Sequence, residues 1–485
     1  MLKRIGAEEG GEFKAVASGT LPSGKPVVVN ADGTVSVVSE TSATQAQGTA
    51  VAFESADTTF TASTFDSNSN KVVIAYKDKG NSNYGTAVVG TVDSSDNSIS
   101  FGTPVVFESA NTTEIAATFD SNSNKVVIAY SDEGNSGHGN AIIGTVSGTD
   151  ISFGSAVVFE SAETSEISCV FDTNSNKVVI AYRDQGNNNY GTAIVGTVSG
   201  TSISFGTVVV FNSGQTKFTS TVFDSTNNKV VIAYEDDANS DYGTAIVGTV
   251  SGTGISFGSA TVFLEASVNY VSAAYDTDAQ KVVVSINNNS NNYGKAIVGT
   301  VSGTSISFGS VVTFASASTL YGRIVYDPVA KKVVIAYADG GDSDKGTLIV
   351  GTVSGTSISF GSEVVYEVGK SPNISITYDS NSERVVIAYS DQNNSDYGTA
   401  IVSQTGYTST TLTSENYIGM SKGGAVADTK GATVDIIGAV NDEQSGLTPG
   451  QQYFVQTNGT IGTTAATPSV LAGTAISATE LLVKT

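Results

Sequence analysis

The side chains best placed to do chemistry recur in one pattern, an Asp early and a Tyr late in an Asn- and Gly-rich loop, met seven times along 485 residues. The loops read KDKGNSNYG, SDEGNSGHG, RDQGNNNYG, EDDANSDYG, NNNSNNYG, ADGGDSDKG and SDQNNSDYG. The acid is kept at Asp78, Asp132, Asp184, Asp236, Asp339 and Asp391, and the ring at Tyr84, Tyr190, Tyr242, Tyr293 and Tyr397, with His138 and Lys345 as exceptions. Three chemistries fit. Asp and Asn support turns while Gly takes positive φ, a purely structural use that is the default. Alternatively, Tyr faces stack on sugars while Asp and Asn bond hydroxyls, which makes Asp78, Tyr84, Asp132, Asp184, Tyr190, Asp236, Tyr242, Tyr293, Asp391 and Tyr397 a candidate glycan-binding face. Oxygen ligands could also gather a calcium ion, although the spacing does not match an EF-hand loop of about 12 residues. The expectation is no cofactor and no resident metal, with calcium the alternative.

Other chemistries are excluded by composition. One His (His138), one Cys (Cys169) and no Trp leave no nucleophilic triad, zinc site or disulfide framework. Cys169 lies in an apolar stretch and reads as a buried, inert thiol. With 23 Lys plus Arg against 46 Asp plus Glu, the formal charge of -23 repels phosphate backbones and anionic headgroups, so neither nucleic acid nor a membrane surface is expected as a partner. No stretch reaches the roughly 18 apolar residues of a spanning helix, and MLKRIGAEEGGEFK has no signal-like apolar run. Synthesis in a cytoplasm without a secretion address is the expectation.

The elements that position the loops are internal repeats. KVVIAY begins at Lys71, Lys125, Lys177, Lys229 and Lys332, with KVVVSI at Lys281 and RVVIAY at Arg384, giving spacings of 54, 52, 52, 52, 51 and 52. Each copy follows an aromatic-Asp pair (Phe65 and Asp66 in the first) and a turn such as SNSN, and is followed by the loop, a GTAIVGTV strand, an SGT turn and ISFGSAVVF. Four β-segments per repeat predict an all-β fold, a seven-bladed β-propeller of about 52-residue blades over 48–406, with an open solenoid as competitor. A spare VAFES from Val51 and the degenerate end after Gly406 predict that strand 49–55 completes the last blade. The Asp of each aromatic-Asp pair is expected to cap its turn. The rings Phe101, Phe153, Phe205, Phe257, Phe308 and Phe360, with Phe53, Phe107, Phe159, Phe211, Phe263 and Phe314, are expected between blades rather than in a binding track.

Residues 1–47 and 407–485 lack the repeat. GTLPSGKPVVVNADGTVSVV and GLTPGQQYFVQTNGTIGTTAATPSVLAGTAISATELLVKT read as short strands with Gly, Pro and Asn turns, and are expected to fold together as one small β-module. These patterns, about a quarter of the chain, resemble the β-rich modules of phage virion appendages, tail-fibre-like or head-fibre-like, of aquatic-bacterium phages.

The resemblance implies a non-enzymatic virion structural protein on the particle surface. Its terminal module would bind other virion proteins and its propeller would be displayed for host-glycan attachment, and symmetric homo-oligomers would fit such a role. The competing readings are a free cell-surface lectin and a carbohydrate-active propeller enzyme with two carboxylates about 5 to 10 Å apart. A catalytic centre should break repeat symmetry, and no repeat is read as carrying an extra acidic cluster.

Overall fold

The computed structural model describes residues 4–8, 11–423 and 426–484. They are β throughout, apart from single-turn 3-10 helices, and contain no helix long and apolar enough to cross a membrane. The chain divides into two units, 44–405 and a second one made of 1–43 with 406–485.

Residues 44–405 form a propeller-type succession of antiparallel four-stranded sheets. In the second repeat, residues 112–120 are the inner strand, Lys125–Asp132 the second and His138–Ser147 the third. The outer strand is shared between two pieces: Asp150–Phe153 pairs with the end of the third strand, and the start of Val157–Asp172 pairs with its beginning. The sequence suggested one outer segment, ISFGSAVVF. Instead it is interrupted at Gly154, and its second half continues as a 16-residue strand into the inner strand of the next repeat. Gly154 explains the break, because a Cβ there would lie 1.9 Å from the carbonyl oxygen of Thr201 in the following repeat's turn.

The second strands are apolar on both faces because neighbouring sheets cover both. Val72 to Tyr76 are fully buried, and the same holds for the equivalent residues of other repeats. The Tyr closing this strand keeps its hydroxyl satisfied by a Glu of the preceding outer strand: Tyr76 donates to Glu54 at 3.0 Å, Tyr130 to Glu108 at 2.9 Å, Tyr182 to Glu160 at 3.1 Å and Tyr389 to Glu367 at 2.9 Å. Rings fill the spaces between neighbouring repeats, as with Phe53, whose centroid is 5.1 Å from Tyr76 and 5.7 Å from Phe101. The aromatic-Asp carboxylates cap the tight turns: Asp120 is buried and accepts the N–H groups of Asn122 and Ser123 at 2.9 and 3.0 Å.

Hydrogen bonding returns from the last repeat to the start of the unit. Tyr397–Gln404 pairs with Ala46–Gln47 and with Val51, Ala52, Glu54 and Asp57. Residues 44–47, grouped with the N-terminal module on sequence grounds, therefore belong to the repeat unit.

The end unit interleaves the two termini. Its six-stranded sheet runs Arg4–Glu8, Glu12–Val16, Gly431–Asp435, Tyr417–Lys422, Pro26–Val29, Val35–Val37. A five-stranded sheet from 440–483 packs on it through Val28, Tyr417 and Met420 against Tyr453, Val455, Ala472 and Leu481. The alternation of Val27 and Val28 puts one on each buried face of the six-stranded sheet.

Candidate functional site

The loops are structured by their own residues. Six of the seven begin with an Asp that precedes a 3-10 turn and, in five of those six, caps it: Asp78 accepts from Asn81 N–H at 3.1 Å, Asp132 from Asn135 at 3.2 Å, Asp184 from Asn187 at 3.1 Å, Asp339 from Gly341 at 2.8 Å, and Asp391 from Asn393 and Asn394 at 3.0 and 3.2 Å. Asp236 accepts instead from the Asn212 amide at 3.1 Å. Tyr84, Tyr190, Tyr242, Tyr293 and Tyr397 are half-buried at the start of the third strands. None of these ten candidates lines the large cavity described next.

Contrary to the sequence reading, the fourth repeat does carry an extra acidic cluster, Glu235, Asp237 and Asp241. Lys217 occupies it, with Nζ at 3.1, 2.7 and 3.6 Å from the three carboxylates. Burial alone would lower this ammonium, but the hydrogen bonds to Asp237 and Glu235 hold it above its ordinary range.

A concavity of about 440 Å³ is enclosed by a short stretch of the chain from each of the seven repeats. In six repeats the pairing of inner and second strands slips by a bulge, in the second repeat between Thr113 and Ala116 and in the third between Ser165 and Ser168, and in the seventh the strand breaks between Lys370 and Ser375 instead. One residue at each slip, and Asn373 in the break, is left-handed: Phe60, Glu114, Glu166, Phe218, Tyr270, Tyr321 and Asn373, with φ between 50° (Phe218, Tyr270) and 56° (Tyr321). For a non-glycine residue this costs on the order of 1 kcal/mol or more, and Gly would avoid it. No repeat uses Gly there. The retained side chains all face the cavity, and they differ where the surrounding framework is nearly identical.

The ring is chemically asymmetric. Its acidic side is a relay: Glu166 N–H donates to Glu114 Oε2 at 2.8 Å, and Phe218 N–H donates to Glu166 Oε2 at 2.8 Å. Burial, then the Glu166 charge, pushes the Glu114 carboxyl up to about 7, and burial also raises Glu166. Its aromatic side is an arc in which Phe218 and Tyr270 lie 5.6 Å apart at 50° and Tyr270 and Tyr321 lie 5.3 Å apart at 47°. Arg323 adds a cation where other repeats carry Ala or Ser, and burial lowers it below the usual guanidinium range. Cys169 is on the cavity wall rather than in a closed core, and burial pushes its thiol up to about 12, which makes it a poor nucleophile near neutrality.

Sequence reasoning missed this ring because it followed what recurs. The signal lay in the opposite test: aligned on the repeat, TTFTAS, TTEIAA, TSEISC, TKFTST, VNYVSA, TLYGRI and SPNISI diverge within an otherwise near-constant frame.

No family model matches the chain, and a search of curated proteins gives no match. Solved structures with a similar course include a triple arginine-to-alanine mutant of AofleA from Arthrobotrys oligospora, 10% identical with a TM-score of 0.42, covering 69% of this chain and 94% of that one. The periplasmic gluconolactonase PpgL of Pseudomonas aeruginosa is 11% identical with a TM-score of 0.47, covering 64% and 86%. Likenesses this distant assign neither ligand nor activity. Nothing among them points to the phage virion modules that the two ends resemble.

Proposed function

We propose that the protein is a non-enzymatic carbohydrate-binding protein whose ligand enters the cavity ringed by Phe60, Glu114, Glu166, Phe218, Tyr270, Tyr321 and Asn373. The observation that carries this reading is the ring itself: seven strained, left-handed positions that keep large or polar side chains and differ from repeat to repeat. An arc of aromatic faces opposite two carboxylates suits a polyhydroxylated ring, which offers C–H faces to the one and hydroxyls to the other. A volume near 440 Å³ is in the range of sites for small ligands. Both glutamates are engaged by backbone N–H groups, which favours a positioning role over acid catalysis.

The proposed frame is a closed seven-bladed propeller. In support, Gly48, ahead of the strand that pairs with repeat seven, abuts the Asn97 carbonyl of repeat one as Gly154 abuts Thr201. Val386 and Val402 also share a core with Val72 and Ile74. The end unit is proposed as the anchoring part, on a virion if the resemblance of its strand-and-turn pattern holds.

A glycan array probed with the full chain and with Tyr270→Ala tests the reading. Binding that the variant loses supports the cavity. Binding that survives Tyr270→Ala but is lost in Tyr190→Ala moves the site to the loops, and no binding to any glycan sinks the proposal.

A further inference from the structure

Arg323 breaks the repeat more sharply than any other cavity residue. Its position is held by Ala62, Ala116, Ser168, Ser220, Ser272 and Ser375 in the other repeats. A guanidinium has five N–H donors in a planar fork and no acceptor. Among the described residues this side chain makes one hydrogen bond, Nη1 to the Gly322 carbonyl at 3.0 Å, and no carboxylate lies within ion-pair distance of it. Arg323 is half-buried on the cavity wall, and its remaining donors open onto the cavity, where an acceptor that enters can meet them.

The nearby acids are already engaged. Glu114 and Glu166 each accept the N–H of the next left-handed residue round the ring. That relay stops at Phe218, which has no acceptor to offer the following residue, Tyr270, although Tyr270 has the same backbone conformation with φ 50°. Beyond this point the wall consists of aromatic faces, then Arg323. Guanidinium donors open to the cavity thus lie beside the stacking surface, and the group that matches their fork is a planar oxyanion, which a guanidinium binds through two parallel hydrogen bonds.

We propose that the cavity selects a saccharide that carries a carboxylate, a uronate-like sugar whose carboxylate meets the Arg323 fork while its ring lies against Tyr270 and Tyr321. This rests on the saccharide reading given above and narrows it to a ligand class. The net charge of -23 repels such a ligand at long range, so recognition depends on this local cation.

The test is calorimetric titration of the full chain, at about 150 mM salt to screen the overall charge, with D-glucuronate, its methyl ester, D-glucose and benzoate, repeated with Arg323→Ala and Arg323→Lys. The expected result is glucuronate bound roughly tenfold or more tighter than ester or glucose, since a charge-assisted bidentate pair is lost with the charge. Arg323→Ala should erase that preference and Arg323→Lys should restore part of it, with thermal melting of both variants near that of the parent as the control for folding. Equal binding of glucuronate, ester and glucose overturns the carboxylate proposal and leaves the saccharide reading standing. Benzoate bound as tightly as glucuronate overturns the proposal through the saccharide reading instead, and no binding of any probe overturns both.

Discussion

The second-strand loops and the left-handed positions of the inner strands are both seven-fold features, yet their sequences behave oppositely. The loops keep nearly the same residues, and six begin with an Asp engaged in a hydrogen bond within its own repeat. The left-handed positions keep the same backbone, φ 50° to 56°, and change the side chain from Phe to Glu to Tyr to Asn. In this molecule repetition therefore marks the framework, where one local solution serves every repeat, and divergence marks the chemistry, where a single ligand must meet different groups on different sides.

Four experiments would break or sharpen that contrast. The largest effect is expected in the framework. Gly154→Ala drives a Cβ to 1.9 Å from the Thr201 carbonyl oxygen, a backbone atom with little room to give, and should cost about 3 kcal/mol or more in urea denaturation. An unchanged midpoint would show that neighbouring repeats do not meet there.

In the ring, Tyr270→Gly should reverse the pattern. It relieves a left-handed residue while removing the middle of the aromatic arc, so saccharide affinity should fall about tenfold or more while stability moves within roughly 1 kcal/mol. A large loss of stability with affinity intact would make the ring a core feature.

The third effect is a pH dependence. Glu114 is raised to about 7 in the folded state by burial, then by Glu166, with Arg183 opposing and Glu133 adding, and Arg323 also lies within its electrostatic reach. A raised carboxyl contributes stability that is full below its unfolded value near 4.5 and is lost as pH rises through about 7. The parent should therefore lose on the order of 1 to 2 kcal/mol more than Glu114→Gln between about pH 5 and pH 8, allowing for solvent screening in the cavity. Parallel stability curves for the two proteins would refute it. Glucuronate affinity should follow the same direction, rising as Glu114 is protonated.

The smallest effect is expected in the loops. Asp132→Ala removes one exposed cap at 3.2 Å and should cost about 1 kcal/mol or less, with affinity unchanged. If it abolishes binding, the contrast is inverted and the loop face is the site.

Much of this architecture could be read from residue order. A seven-fold KVVIAY spacing, turn residues at constant offsets and a spare VAFES ahead of the first repeat state how many times the sheet recurs and where its tight turns fall, because hydrogen bonding and turn geometry act over a few residues. The aromatic-Asp pairs were legible for the same reason: Asp120 bonds to groups two and three residues away. The pairing of Glu12–Val16 with Gly431–Asp435, across more than 400 residues, was legible only as an expectation that both ends are β.

What order alone could not supply is which side chains share a volume. Glu114, Glu166, Tyr270 and Arg323 come from four repeats, and nothing local links them. The repeat sequence by itself determined the framework, since each sheet satisfies its own backbone and presents apolar faces to its neighbours. Only the tertiary arrangement decided the site, because a slip in six inner strands and a break in the seventh turn the least repetitive side chains toward one cavity, and the meeting of distant residues in space has no counterpart in their spacing along the chain.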